Sequence, residues 1–131
     1  MPAFWRAAAA MKDRRRQAEL RGRWAEELAL WSLRLKGYRL LARRFKSKAG
    51  EVDLIMRRGG VTAFIEVKQR ASRDLALDSV TAYQTRRIGA AAAAWMARDQ
   101  LAARQFCRFD IVAVTPYQWP QHIENAFEGV A

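Results

Sequence analysis

Four charged residues alternate along the stretch GEVDLIMRRGGVTAFIEVKQR, Gly50 to Arg70. Glu51 and Asp53 precede a Gly59-Gly60 pair, and Glu66 and Lys68 follow it. A β-strand shows the same face every second residue, so each couple shares one face of its strand. A two-residue hairpin loop at the glycines sets Asp53 opposite Glu66, and Glu51 opposite Lys68. Like charges directly opposite each other are destabilising, whereas a favourable cross-strand pair gains roughly 0.2–1 kcal/mol. A divalent cation between the acids would remove the conflict. Mg²⁺ or Mn²⁺ takes a few oxygen ligands and keeps several waters. Asp53 and Glu66 would supply carboxylates, and the Val67 carbonyl a further oxygen. Such a metal would polarise a phosphodiester and acidify an attacking water. Lys68, expected to stay protonated beside two acids, would position that water or stabilise charge on the pentavalent phosphate. The plainer alternative is an exposed hairpin with its polar residues in water. It accounts for the alternation but not for the meeting of the acids.

The elements around this hairpin read as one α/β domain. From Arg14 to Lys36, Leu20, Trp24, Leu28, Trp31 and Leu35 recur at three- and four-residue steps, the mark of a helix. Glu26, Ala29, Leu30 and Leu33 form a second face, so the helix is expected to be well covered; Gly37 ends it. Glu26 and Glu27 read as rim residues paired with nearby arginines. Tyr38 to Phe45 is a strand, and Ala71 to Ala76 a mobile connection. Asp78 or Ser79 is the expected cap of a second helix running to about Arg104, with Tyr83, Ile88, the Ala90–Ala94 run, Trp95 and Leu101 on its buried side. Arg108 to Thr115 is a further strand, parallel to the Phe64 strand if the long helix serves as a crossover. HIENAF supplies a short final strand or turn. Residues 1–17 read as a poorly ordered basic arm and 18–131 as a single domain.

The 131 residues carry 24 Lys+Arg against 13 Asp+Glu, a net charge of +11. Such a balance calls for a polyanion, nucleic acid before an anionic membrane. The prevalence of Arg favours forked phosphate contacts. Seven basic residues and no acid lie between Arg34 and Lys48, a positive rim beside an acidic site. Arg39, Arg43, Arg44, Lys46, Lys48, Arg70, Arg86 and Arg87 are the candidate nucleic-acid contacts. One cysteine, Cys107, and one histidine, His122, leave no cysteine or histidine cluster for zinc and no histidine-based triad. No apolar run approaches the ~20 residues of a membrane span. The opening segment has its charge cluster on the wrong side for a secretory signal, so a cytoplasmic protein is expected.

Asp53, twelve residues, then Glu66-Val67-Lys68 resembles the D…ExK signature of PD-(D/E)XK nucleases. AEELALWSLRLKGY, GYRLLARRF, GEVDLI, FIEVKQR, RFDIV and HIENAF together resemble the YraN-like family of small bacterial proteins. The resemblance runs from about Gly22 to Phe127. It implies a restriction-endonuclease-like core, a mixed central sheet flanked by helices, similar to archaeal Holliday-junction resolvases. It places Asp53, Glu66 and Lys68 on the catalytic core and turns Glu26, in the first helix, into a third acid reaching the metal directly or through water. The family commonly has a lysine where this chain has Gln84, four residues after Val80. Gln84 keeps hydrogen-bonding capacity and loses a charge. The implied activity is a Mg²⁺- or Mn²⁺-dependent endonuclease on branched DNA, DNA being favoured over RNA, with a homodimer for symmetric cutting. A non-catalytic nucleic-acid-binding protein with a degenerate site is the alternative.

Overall fold

The glycine pair sets the register of the central hairpin. A computed structural model describes residues 3–104 and 106–128. Strands β2 (Glu51–Arg58) and β3 (Val61–Gln69) run antiparallel, Leu54 against Ile65 and Arg58 against Val61. Gly59 turns the corner at φ 57°, in the left-handed region that costs glycine little. On one side of the hairpin, β1 (Arg39–Lys46) pairs antiparallel with β2. On the other, β4 (Phe106–Val114) runs parallel to β3, Phe109 beside Phe64. β5 (Gln121–Ile123) closes the edge, giving the order β1-β2-β3-β4-β5. The parallel step needs a crossover, and α2 (Arg73–Asp78), α3 (Ala82–Arg98) and α4 (Gln100–Ala103) make it.

Helices cover both faces of this mixed sheet. Ala25, Ala29, Leu30 and Leu33 of α1 (Ala3–Leu35) pack on Leu54, Met56, Ile65 and Val112. On the opposite face, Ile88, Ala91 and Ala92 of α3 pack on Val52, Ile55 and Phe64. Full burial of a Leu or Phe side chain stabilises by about 1.5–3 kcal/mol, so these two layers carry the fold. Gly50 brings the β1–β2 turn onto α3. A Cβ there would stand 1.8 Å from the Arg87 carbonyl oxygen. Only glycine permits that approach.

Several expectations are corrected. Helix α1 begins at Ala3 rather than near Arg14, so residues 3–17 of the expected arm are helical and almost wholly exposed. Residues 1–2 of that arm, and 105 and 129–131 of the expected domain, lie outside the described residues. The stripe Leu20, Trp24, Leu28, Trp31, Leu35 faces solvent, Trp24 64% and Leu35 74% exposed. The Ala-Leu face turns inward instead, because small residues let the helix approach the sheet while the tryptophans would hold it away. Trp31 is tied at the surface by Glu27, at 3.1 Å, and by the Arg34 guanidinium 4.8 Å from its ring. The connection after β3 contains α2, capped by Ser72. The following long helix starts from Thr81 rather than Asp78 or Ser79 and stops at Arg98. Tyr83 and Leu101, expected inside, are exposed.

The lone histidine is a structural clasp. His122 Nε2 lies 2.7 Å from the fully buried Asp110 carboxylate. Burial alone would push Asp110 up, but His122, the Arg108 fork and the Asn125 N–H hold it below the usual carboxylate range. Arg108 also donates to the Tyr38 hydroxyl at 2.5 Å, so this cluster ties the residue before β1 to β4, β5 and the segment after β5.

Candidate active site

Both ladders flanking Asp53 open at that residue. On the β1 side, Arg43 pairs with Leu54 and Phe45 with Val52, while Arg44 and Asp53 are skipped. Arg44 sits at φ 47°, a left-handed conformation in which a non-glycine residue is strained. On the β3 side the pairing ends at Leu54 and Ile65. The Asp53 carboxylate steps into the gap, and Val67 N–H donates to its Oδ2 at 2.8 Å. Asp53 and Glu66 therefore meet as predicted, through side chains at the end of the ladder rather than as a ladder pair.

Their electrostatics follow from burial. Desolvation first, then the Glu66 charge, pushes Asp53 up to about 8. Burial also raises Glu66, against the pull of the Lys68 ammonium. The bond between the carboxyls raises Asp53 and lowers Glu66. Lys68 Nζ stands 3.3 Å from Glu66 Oε1 and is only 8% exposed. The expected Glu51–Lys68 partnership is absent because the ladder stops short of both. Glu51 turns instead to Arg87, at 4.0 Å.

Clefts open on either side of the acid pair. One, of about 290 Å³, places Asp53 and Glu66 with Tyr83, Gln84 and Arg87 at the start of α3. Another, of about 310 Å³, joins the acids to Arg21, Glu26, Lys68 and Arg70. A smaller recess joins Asp53 and Glu26 to Arg44 and Lys46. Glu26 is bound by Arg44 Nε at 2.8 Å, and Glu27 by Arg43 Nη2 at 2.6 Å. Both glutamates are thus held by arginines, and Glu26 also borders the acid site. Gln84 completes a capping box: its Oε1 accepts the Thr81 N–H at 3.0 Å, and the Thr81 hydroxyl accepts its N–H at 3.1 Å. A lysine, lacking an acceptor, could not close that box.

The predicted basic rim divides. Arg44, Lys46, Arg70 and Arg87 border the acid clefts. Arg39 pairs across from Arg57, at the far end of β1 from Lys46 and Glu51, and so lies away from them. Lys48 and Arg86 are exposed but line none of these three clefts. Arg21, not among the expected site residues, and Tyr83, expected in the core, both border the site. The signal for Arg21 was its place four residues, about one helical turn, before Ala25 of the inward face; for Tyr83 it was adjacency to Gln84.

Among the described residues, no three His, Cys, Asp or Glu side chains gather as a ready metal cage. The donor set of Asp53 and Glu66 nonetheless suits a hard cation, being two half-buried carboxyls set against each other where a dication would offset their repulsion. No described helix is long and apolar enough to cross a membrane.

A family model described as "Uncharacterised protein family UPF0102" matches residues 25–114. The chain belongs to the UPF0102 family. The YraN-like resemblance agrees with that membership. The UPF0102 protein of Methylorubrum extorquens (strain PA1) is 53% identical over 115 residues, 88% of this chain and 90% of that protein. That of Methylobacterium nodulans is 50% identical, covering 88% and 89%. UPF0102 protein mlr4633 of Mesorhizobium japonicum is 49% identical, covering 88% and 92%. The segment matched to the UPF0102 model contains Glu26, Asp53, Glu66, Val67, Lys68 and Gln84 and stops short of Arg21 on its N-terminal side.

Proposed function

We propose that this chain is a metal-dependent endonuclease with a PD-(D/E)XK-type core, acting on branched or otherwise structured DNA. The observation that carries the reading is the acid pair Asp53 and Glu66 set together beside buried Lys68, where arginine-rimmed clefts converge. Asp53 and Glu66 would hold Mg²⁺ or Mn²⁺, with the Val67 carbonyl as a further oxygen ligand. When bound, the metal supplies Lewis-acid activation of a phosphodiester and an acidified water. Lys68 holds a positive charge at Glu66 and stabilises negative charge growing on the phosphate. Arg70, Arg87, Lys46 and Arg21 bring the phosphate chain to the acids.

Hydrolysis of a synthetic four-way junction in Mg²⁺ or Mn²⁺ tests the reading. Cleavage is expected from the natural chain and is lost in Asp53→Ala and Glu66→Ala, while junction binding persists. A natural chain that cuts neither branched, duplex nor single-stranded DNA with either metal would reject it. The second reading, a binding protein without turnover, is favoured by one contact: Arg44 occupies the Glu26 carboxylate. Symmetric cutting of a junction requires a two-fold dimer, and the exposed Trp24, Leu28 and Trp31 of α1 offer an apolar surface for one.

A further inference from the structure

We propose that Tyr83 is a stacking platform for an unpaired nucleobase held beside the acid pair, an inference that rests on the nucleic-acid reading above. Tyr83 lies in the first turn of α3, 61% exposed, and forms part of the same cleft as Asp53 and Glu66. Its ring is braced. The Arg87 guanidinium, one helical turn on, lies 5.7 Å from the ring centroid and reaches toward Glu51 at 4.0 Å. The backbone of Arg87 is in turn pressed against Gly50. A tyrosine braced in this way loses little freedom when a planar ligand covers it.

The cleft of about 290 Å³ admits a flat ring system and not a duplex. A base inside a duplex has both faces covered by its neighbours, whereas a base at a branch, gap or strand end offers one. Stacking on an aromatic ring is tolerant of base identity, and a nearby arginine adds to it. Tyr83 therefore selects by nucleic-acid structure rather than by sequence. It would set a base on one side of the cleft and its phosphate at the acids on the other.

The test is binding without metal, in chelator, so that cleavage plays no part. Probes are a single strand and a fork carrying 2-aminopurine at the unpaired position, and a fully paired duplex of the same length. The natural chain should quench the 2-aminopurine of the first two. Tyr83→Ala should lose that quenching and bind them about ten-fold more weakly, with duplex binding unchanged. Tyr83→Phe should behave like the natural chain. Tyr83→Ala binding every probe as the natural chain does, or weakening equally on duplex, would overturn the proposal. A natural chain that shows the Tyr83 dependence but never cleaves would reject the nuclease reading alone. An exposed position makes misfolding unexpected, and a melting curve matching the natural chain verifies it.

Discussion

Asp53 takes the Val67 amide that the ladder leaves free and stands against a second acid. The consequence is a measurable pH slope. Burial and the Glu66 charge move Asp53 from 3.8 in the unfolded chain to about 8 in the fold. Between those values the folded state keeps a proton that the unfolded state has released. The stability of the metal-free protein should therefore fall as pH rises through this window and level off above it. Asp53→Asn should flatten the profile, as read from melting temperatures in chelator; an equal slope in both proteins would contradict it. Residue types and spacing were enough to bring Asp53, Glu66 and Lys68 together, because strand alternation and a two-residue turn leave few alternatives. They did not reveal that Lys68 turns to Glu66 and Glu51 to Arg87. That depends on where the ladder ends, and a left-handed Arg44 carries no sequence signal of its own.

Among the elements, α3 is positioned by a glycine as well as by its own apolar face. Gly50→Ala would drive a methyl into the Arg87 carbonyl. Overpacking of this kind costs about 1–3 kcal/mol, and here the obstacle is backbone, which cannot swing aside as a side chain can. Urea unfolding should show that loss. Junction cleavage should fall further than stability does, since Gln84 and Arg87 move with the helix; unchanged stability would mean the turn relaxes freely. The strand order and the parallel step to β4 were legible from alternation and from the length of the connecting helix. The inward face of α1 was not. Two apolar faces compete there, and the sheet accepts the one with the smaller side chains, a choice made by packing rather than by hydrophobicity. Likewise the Thr81–Gln84 capping box was hidden by rival caps at Asp78 and Ser79.

For the whole molecule, +11 charges and an uncovered apolar stripe on α1 point in different directions. The charge opposes association of copies, whereas an exposed apolar stripe favours it. If the stripe is the dimer surface, sedimentation should show a dimer, and Trp24→Glu with Leu28→Glu should return it to a monomer that cuts junctions poorly. A natural chain that sediments as a monomer at micromolar concentration would remove the dimer. The placement of the acid pair has one more consequence. It lies between two mouths of unlike chemistry, one with Tyr83 and Gln84, the other with Arg21 and Arg70. A polymer laid through both meets the Tyr83 ring, backed by Arg87, on one side and the guanidinium groups of Arg21 and Arg70 on the other. Since a nucleic-acid strand has a direction, its two ways of lying there are not equivalent, and the protein would read strand polarity before any bond is broken.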